Sequence, residues 1–107
     1  GCGPGRHVLA LARIGVEAVG VEIAPLAVNI ARSRGAQVIH GSIFDRIPEE
    51  GCWGTALLLD GNIGIGGSPT DLLRRIGKLL RPGGLSLVEL AAPGARGGHW
   101  APGRPQA

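Results

Sequence analysis

From Gly5 to Leu90, helical stretches alternate with short apolar runs, and that alternation narrows the chain to one fold class. Arg6 to Ile14 combines apolar residues with good helix formers, and Gly15 supplies a C-terminal stop. Val16 to Glu22 alternates and then runs apolar, which predicts a strand ending at Glu22. Pro25 suits the first turn of a second helix, where its missing N–H costs nothing. Leu26, Ala27, Ile30 and Ala31 share one face of that helix, and Gly35 closes it. Ala36 to His40 predicts a short strand. Residues 41–53 read as a loop with Phe44 and Ile47 tucked in.

Thr55 to Asp60 is apolar along most of its length, as a strand buried on both faces is. The glycine-rich loop Gly61–Gly67 follows. Ser68 then reads as an N-cap, with Pro69 at the first helical position and Asp71 at the third. Leu72, Leu73, Ile76, Leu79 and Leu80 line one face of this helix. Pro82-Gly83-Gly84 reads as its end and Leu85 to Leu90 as the last strand. Residues 91–107 hold little apolar periodicity and predict a disordered tail, which leaves 1–90 as the folded part. The order predicts an α/β fold, a doubly wound parallel sheet with helices on both faces. Ligands of such sheets bind in the loops at the carboxyl ends of the strands.

Composition removes several function classes. The 20 glycines and 8 prolines make up about a quarter of the 107 residues, but 44% of the chain is apolar and falls in bounded runs. With one Phe, two Trp and no Tyr, the core must be aliphatic and small. The net charge of +3 is modest, and the arginines are scattered without interleaved aromatics. Direct nucleic-acid binding needs a basic stripe or stacking residues, so it is not expected. No apolar run approaches the ~20 residues of a membrane span, and the expectation is a soluble, cytoplasmic protein. Cys2 and Cys52 are fifty residues apart, without a second ligand at metal spacing, and read as reduced thiols. His7, His40 and His99 are isolated. No nucleophile–base arrangement is visible, and no metal site is expected.

Two features carry chemistry. Gly1-Cys2-Gly3-Pro4-Gly5 is a G-x-G-x-G loop feeding a helix, where glycine lets the backbone turn sharply and approach a ligand. The dinucleotide pattern G-x-G-x-x-G would place its third glycine at position 6, where this chain has Arg6. Glu22 ends the next strand, and a carboxylate there can accept both ribose hydroxyls of a nucleoside. Each feature alone also fits a plain turn or a solvated strand-end acid; together they favour a nucleoside site.

At these residues the chain resembles the class I S-adenosylmethionine-dependent methyltransferases. The run G-C-G-P-G-R, then V-G-V-E-I-A, G-S-I-F-D-R-I-P, L-L-L-D-G-N and L-L-R-P-G-G-L is similar to successive motifs of that family, in order, over residues 1 to about 90. The resemblance implies that Gly1, Gly3 and Gly5 lie under the methionine part of S-adenosylmethionine, that Glu22 takes the ribose and that Ile23 packs on the adenine. It places Ser42 and Ile43 at the adenine edge, where many members have Asp in place of Ser42. Asp45, three residues on, is not assigned that contact. Asp60 ends a strand beside the expected methyl-transfer site.

The resemblance further implies a chain truncated at both ends: the family's central strand would precede Gly1, and its closing strands would follow residue 90. Without that central strand the remaining four are expected as two separate pairs. Gly1–Gly5 is then expected to fray, and the 107-residue chain not to methylate by itself. The loop after Asp60 lacks the prolines and aromatic of many nitrogen-directed members, so the implied acceptor is a small molecule. Arg6 disfavours a nicotinamide-dependent dehydrogenase. A nucleoside-binding module without turnover is the non-enzymatic reading.

Overall fold

The computed structural model describes residues 1–90. These form two compact units, Gly1–Arg46 and a second that begins at Ile47. The tail expected over 91–107 lies outside the described residues.

In the first unit, α1 spans Arg6–Arg13 and β1 spans Gly20–Glu22. The helix α2 covers Pro25–Ser33 and β2 covers Val38–His40. The strands β1 and β2 pair in parallel, Gly20 opposite Val38 and Glu22 opposite His40, with α2 as the crossover. Gly5, at φ 84°, starts α1, and Gly15, also at 84°, lets the chain leave it. The core is small: Val8, Val28, Ala31, Ala36 and Val38, with Cys2, Leu9 and Ala18 packed against it. Alanine dominates because the elements approach closely. A Cβ on Gly5 would stand 3.0 Å from the Ala31 methyl and 3.2 Å from that of Ala36.

In the second unit, β3 spans Trp53–Leu58, α3 spans Pro69–Leu79 and β4 spans Leu80–Val88. The strands β3 and β4 pair in parallel, Thr55 opposite Leu85 and Leu58 opposite Val88, with a register shift between Trp53 and Thr55. Ser68 caps α3 as predicted, its hydroxyl accepting the Asp71 N–H, and Pro69 follows. Leu72, Ile76 and Leu79 of α3 are buried, as are Leu58, Ile47 and Ile63.

The architecture is α/β with parallel strands in two small sheets, a partial Rossmann-like fold, and the four strands form two pairs as expected. Several local expectations need correction. β1 begins at Gly20, not Val16, because only Gly20–Glu22 meets a partner strand. β2 likewise is shorter, beginning at Val38 and not Ala36. β4 begins at Leu80, five residues earlier than expected, since Leu80 already pairs with Trp53. The register then jumps to Thr55 opposite Leu85, so Pro82-Gly83-Gly84 is an irregularity inside the strand, with Gly83 at φ 80°, and regular pairing starts at Leu85 as expected. The predicted loop after Asp60 folds into 3₁₀ turns over Asn62–Gly67, kinked at Ile65–Gly66. β3 is not buried on both faces: Leu58 is buried, but Thr55 and Leu57 are exposed. Leu26, Phe44 and Leu73 are also exposed, and α2 packs through Ala31, as expected, together with Val28. Among the described residues no helix is long and apolar enough to cross a membrane.

Candidate cofactor site

The glycine loop is not frayed. The Cys2 N–H donates to the Val21 carbonyl at 3.1 Å, and the Gly1 nitrogen donates to the same oxygen. Gly5 N–H returns to the Cys2 carbonyl at 3.1 Å, closing a tight turn with Gly3 at φ 56°. The expectation of a loose terminus fails because the edge of β1 supplies an acceptor. The half-buried Cys2 side chain fills the space over Gly20, where any Cβ would collide with the sulfur. Burial pushes the Cys2 thiol pKa up, as for a packing residue.

Glu22 is the buried charge of this unit, 8% exposed. Its Oε1 accepts the Gly3 N–H at 2.8 Å, and its Oε2 accepts the N–H groups of Ile23 at 3.1 Å and Ala24 at 3.0 Å. Burial alone would raise the carboxyl pKa. Hydrogen bonds from the amides of Ala24, Gly3 and Ile23 lower it, and the pKa lies below the ordinary glutamate value. One carboxylate thus ties the glycine loop to the end of β1 and to the start of α2.

The three glycines divide the work. Gly5 is buried and left-handed, and it permits α1 to pack on Ala31 and Ala36. This is the packing use of a third glycine, met one position earlier than in the dinucleotide pattern. Gly3 is also left-handed, but a Cβ there would meet nothing within 4 Å. Its open face is space a ligand can enter. Gly1 is exposed.

Around the carboxyl ends of β1 and β2 stand the other assigned residues of the first unit. Ile23 is 68% exposed, an apolar side chain presented to solvent directly after Glu22. Ser42 and Ile43 follow β2 and are half-buried. The Ser42 hydroxyl is engaged locally, accepting the Phe44 N–H at 3.1 Å. Two residues to which the sequence assigns no role sit here as well. Asp45 folds back, so that its Oδ2 accepts the Ser42 N–H at 3.0 Å and returns an acid to this strand end. His40 Nε2 donates to the Ile23 carbonyl across 3.2 Å, which requires the proton on Nε2. The rule that ligands gather at carboxyl strand ends flags His40, because it pairs with Glu22 in the sheet.

Asp60 belongs to the second unit, at the carboxyl end of β3. Its backbone is left-handed (φ 54°), and its N–H donates to Glu89 Oε1 at 2.6 Å. Glu89, the residue after β4, donates its own N–H to the Leu58 carbonyl. Among the described residues no group of three or more His, Cys, Asp or Glu could hold a metal ion.

The first unit therefore joins a glycine loop, open on one face, to a buried strand-end acid. A family model described as a methyltransferase domain matches residues 1–84, from this loop through most of β4. The chain belongs to the methyltransferase-domain family. Methyl transfer is the chemistry of that family. No curated protein matches the chain. Within the methyltransferase domain, the match takes in every residue assigned above except Glu89.

Proposed function

We propose that the chain is an S-adenosylmethionine-dependent methyltransferase acting on a small-molecule acceptor. The observation that carries this reading is Glu22 bonded to the Gly3 amide, which unites loop and acid in one binding element. Gly1, Gly3 and Gly5 would hold the methionine part, with Gly3 offering its open face. Glu22 would hold the ribose as a charge-assisted acceptor. Exposed Ile23 offers an apolar surface to the adenine, and Ser42, Ile43 and Asp45 stand at its edge. Asp60 would face the acceptor. S-adenosylmethionine, when bound, supplies a methyl group already activated as a sulfonium. The chain's residues then need only bind and orient, which agrees with the lack of an acid–base pair in the sequence. The small-molecule acceptor rests on the scattered arginines and on the loop after Asp60, which has neither prolines nor an aromatic.

Calorimetric titration tests the reading. S-adenosylhomocysteine is expected to bind and NAD not to. Binding of NAD alone would favour a dehydrogenase. Binding of S-adenosylhomocysteine without transfer to any of a panel of small acceptors would favour a module without turnover.

A further inference from the structure

Past Val88 the parallel ladder of β3 and β4 runs one step further. The Glu89 N–H donates to the Leu58 carbonyl at 2.9 Å, which sets Glu89 opposite Leu59. In a regular parallel ladder the next bond would run from the Asp60 N–H to the Glu89 backbone carbonyl. Here that N–H goes instead to the side chain of the same residue, to Oε1 at 2.6 Å. The switch accompanies a reversal of the backbone. Asp60 and Gly61 both have positive φ, 54° and 81°, and the Asn62 N–H returns to the Leu59 carbonyl at 3.0 Å. These are the marks of a type I′ turn over Leu59–Asn62. A left-handed residue other than glycine persists only where its surroundings hold it there. The turn's own bond and the bond to Glu89 do so at Asp60. Because the Glu89 backbone is itself tied to Leu58, its carboxylate reaches Asp60 from a fixed point on the sheet. Glu89 also lies beyond the residues that the family model matches, 1–84.

We propose that Glu89 is a positioning residue for the methyl acceptor, fixing the turn from which the Asp60 side chain projects. This rests on the proposed methyl-transfer reading, in which Asp60 faces the acceptor. Glu89 acts through its reach and its acceptor oxygen, so its negative charge is not what counts. Gly3 and Glu22 belong to the first unit, and Glu89 bears on the acceptor without bearing on the cofactor. Glu89 is exposed, so substitutions there leave the leucine and isoleucine core of the second unit intact.

The test is methyl transfer by the full chain, with S-adenosylmethionine as donor and a panel of small phenols, carboxylates and thiols as acceptors. In Glu89→Ala, kcat/KM for the accepted compound is expected to fall about ten- to a hundredfold, as when a reacting group is misplaced. Calorimetric affinity for S-adenosylhomocysteine should be unchanged. Glu89→Gln keeps an oxygen in the place of Oε1 and should retain most of the activity. Glu89→Asp keeps the charge but shortens the reach, and should lose activity as Glu89→Ala does. In an Asp60→Ala background, Glu89→Ala should have no further effect, because it acts through Asp60. Unchanged turnover in Glu89→Ala, equal losses in the Gln and Ala variants, or a full further loss in the Asp60→Ala background overturns the inference and leaves the methyl-transfer reading intact. Weakened S-adenosylhomocysteine binding in Glu89→Ala also overturns it. Should Glu89→Ala not fold, the contrast between the Gln and Asp variants decides alone. Absence of turnover by the unaltered chain with the whole panel overturns the methyl-transfer reading itself, and the inference with it.

Discussion

The two units solve different problems with the same supersecondary plan. Each is a parallel strand pair joined by a helix, yet the first has strands of three residues and a core built on alanine and valine. The second has a nine-residue strand and buries leucine and isoleucine from α3. Carboxylates are also used differently. In the first unit Glu22 is buried and organises three backbone amides. In the second, Glu50 is partly exposed and grips Arg75 with both oxygens, at 3.1 and 2.7 Å. The difference teaches that the first unit draws its order from a polar latch at the ligand loop, whereas the second draws it from apolar packing. Substitutions should separate the two.

The largest effect is expected from Leu72→Ala, because Leu72 is fully buried. It should cost about 2–5 kcal/mol, the transfer and cavity terms together, read by urea unfolding. A loss below about 1 kcal/mol would mean that packing does not hold the second unit.

Gly5→Ala comes next. It adds a methyl 3.0 Å from Ala31 at a left-handed backbone, which should cost about 2–4 kcal/mol from conformation and overpacking together. Gly3→Ala has free space, so only the conformational part, about 1–2 kcal/mol, should appear, while S-adenosylhomocysteine binding suffers more than stability does. Equal stability losses in the two would erase the division between packing glycine and ligand glycine.

Acid separates the units next. The Glu22 pKa is depressed in the fold, so its contribution is fully present above the ordinary glutamate value of about 4.3 and is lost as pH falls through the lower folded value. Exchange protection of the Gly3, Ile23 and Ala24 amides should fall in that window, and Glu22→Gln should remove the step. Protection that persists unchanged at pH 2 would contradict the latch.

Arg75→Ala should have the smallest effect, about 0.5–1 kcal/mol, shrinking further in high salt, since Glu50 is partly exposed.

Much of this division was legible in the residues themselves. The G-x-G-x-G run and Glu22 mark the loop and the acid, and the Ser68 cap with Pro69 fixes where α3 starts. Strand lengths were not legible, because a strand exists where a partner exists. Val16–Val19 carries a strand-like pattern but lies outside the β1–β2 ladder, while Leu80 meets Trp53 ahead of the Pro-Gly-Gly irregularity and the ladder resumes at Leu85. Nor was the Asp45 contact legible. It depends on a turn that brings a side chain back three residues, and apolar periodicity carries no trace of it.

The central claim is that Glu22 makes loop and ligand site one object. Its most direct test is S-adenosylhomocysteine affinity, measured by calorimetry, in the unaltered chain and in Glu22→Ala. The account predicts binding weakened by about 1–3 kcal/mol, for the lost hydroxyl bond and the loosened Gly3 amide. An unchanged dissociation constant would contradict it.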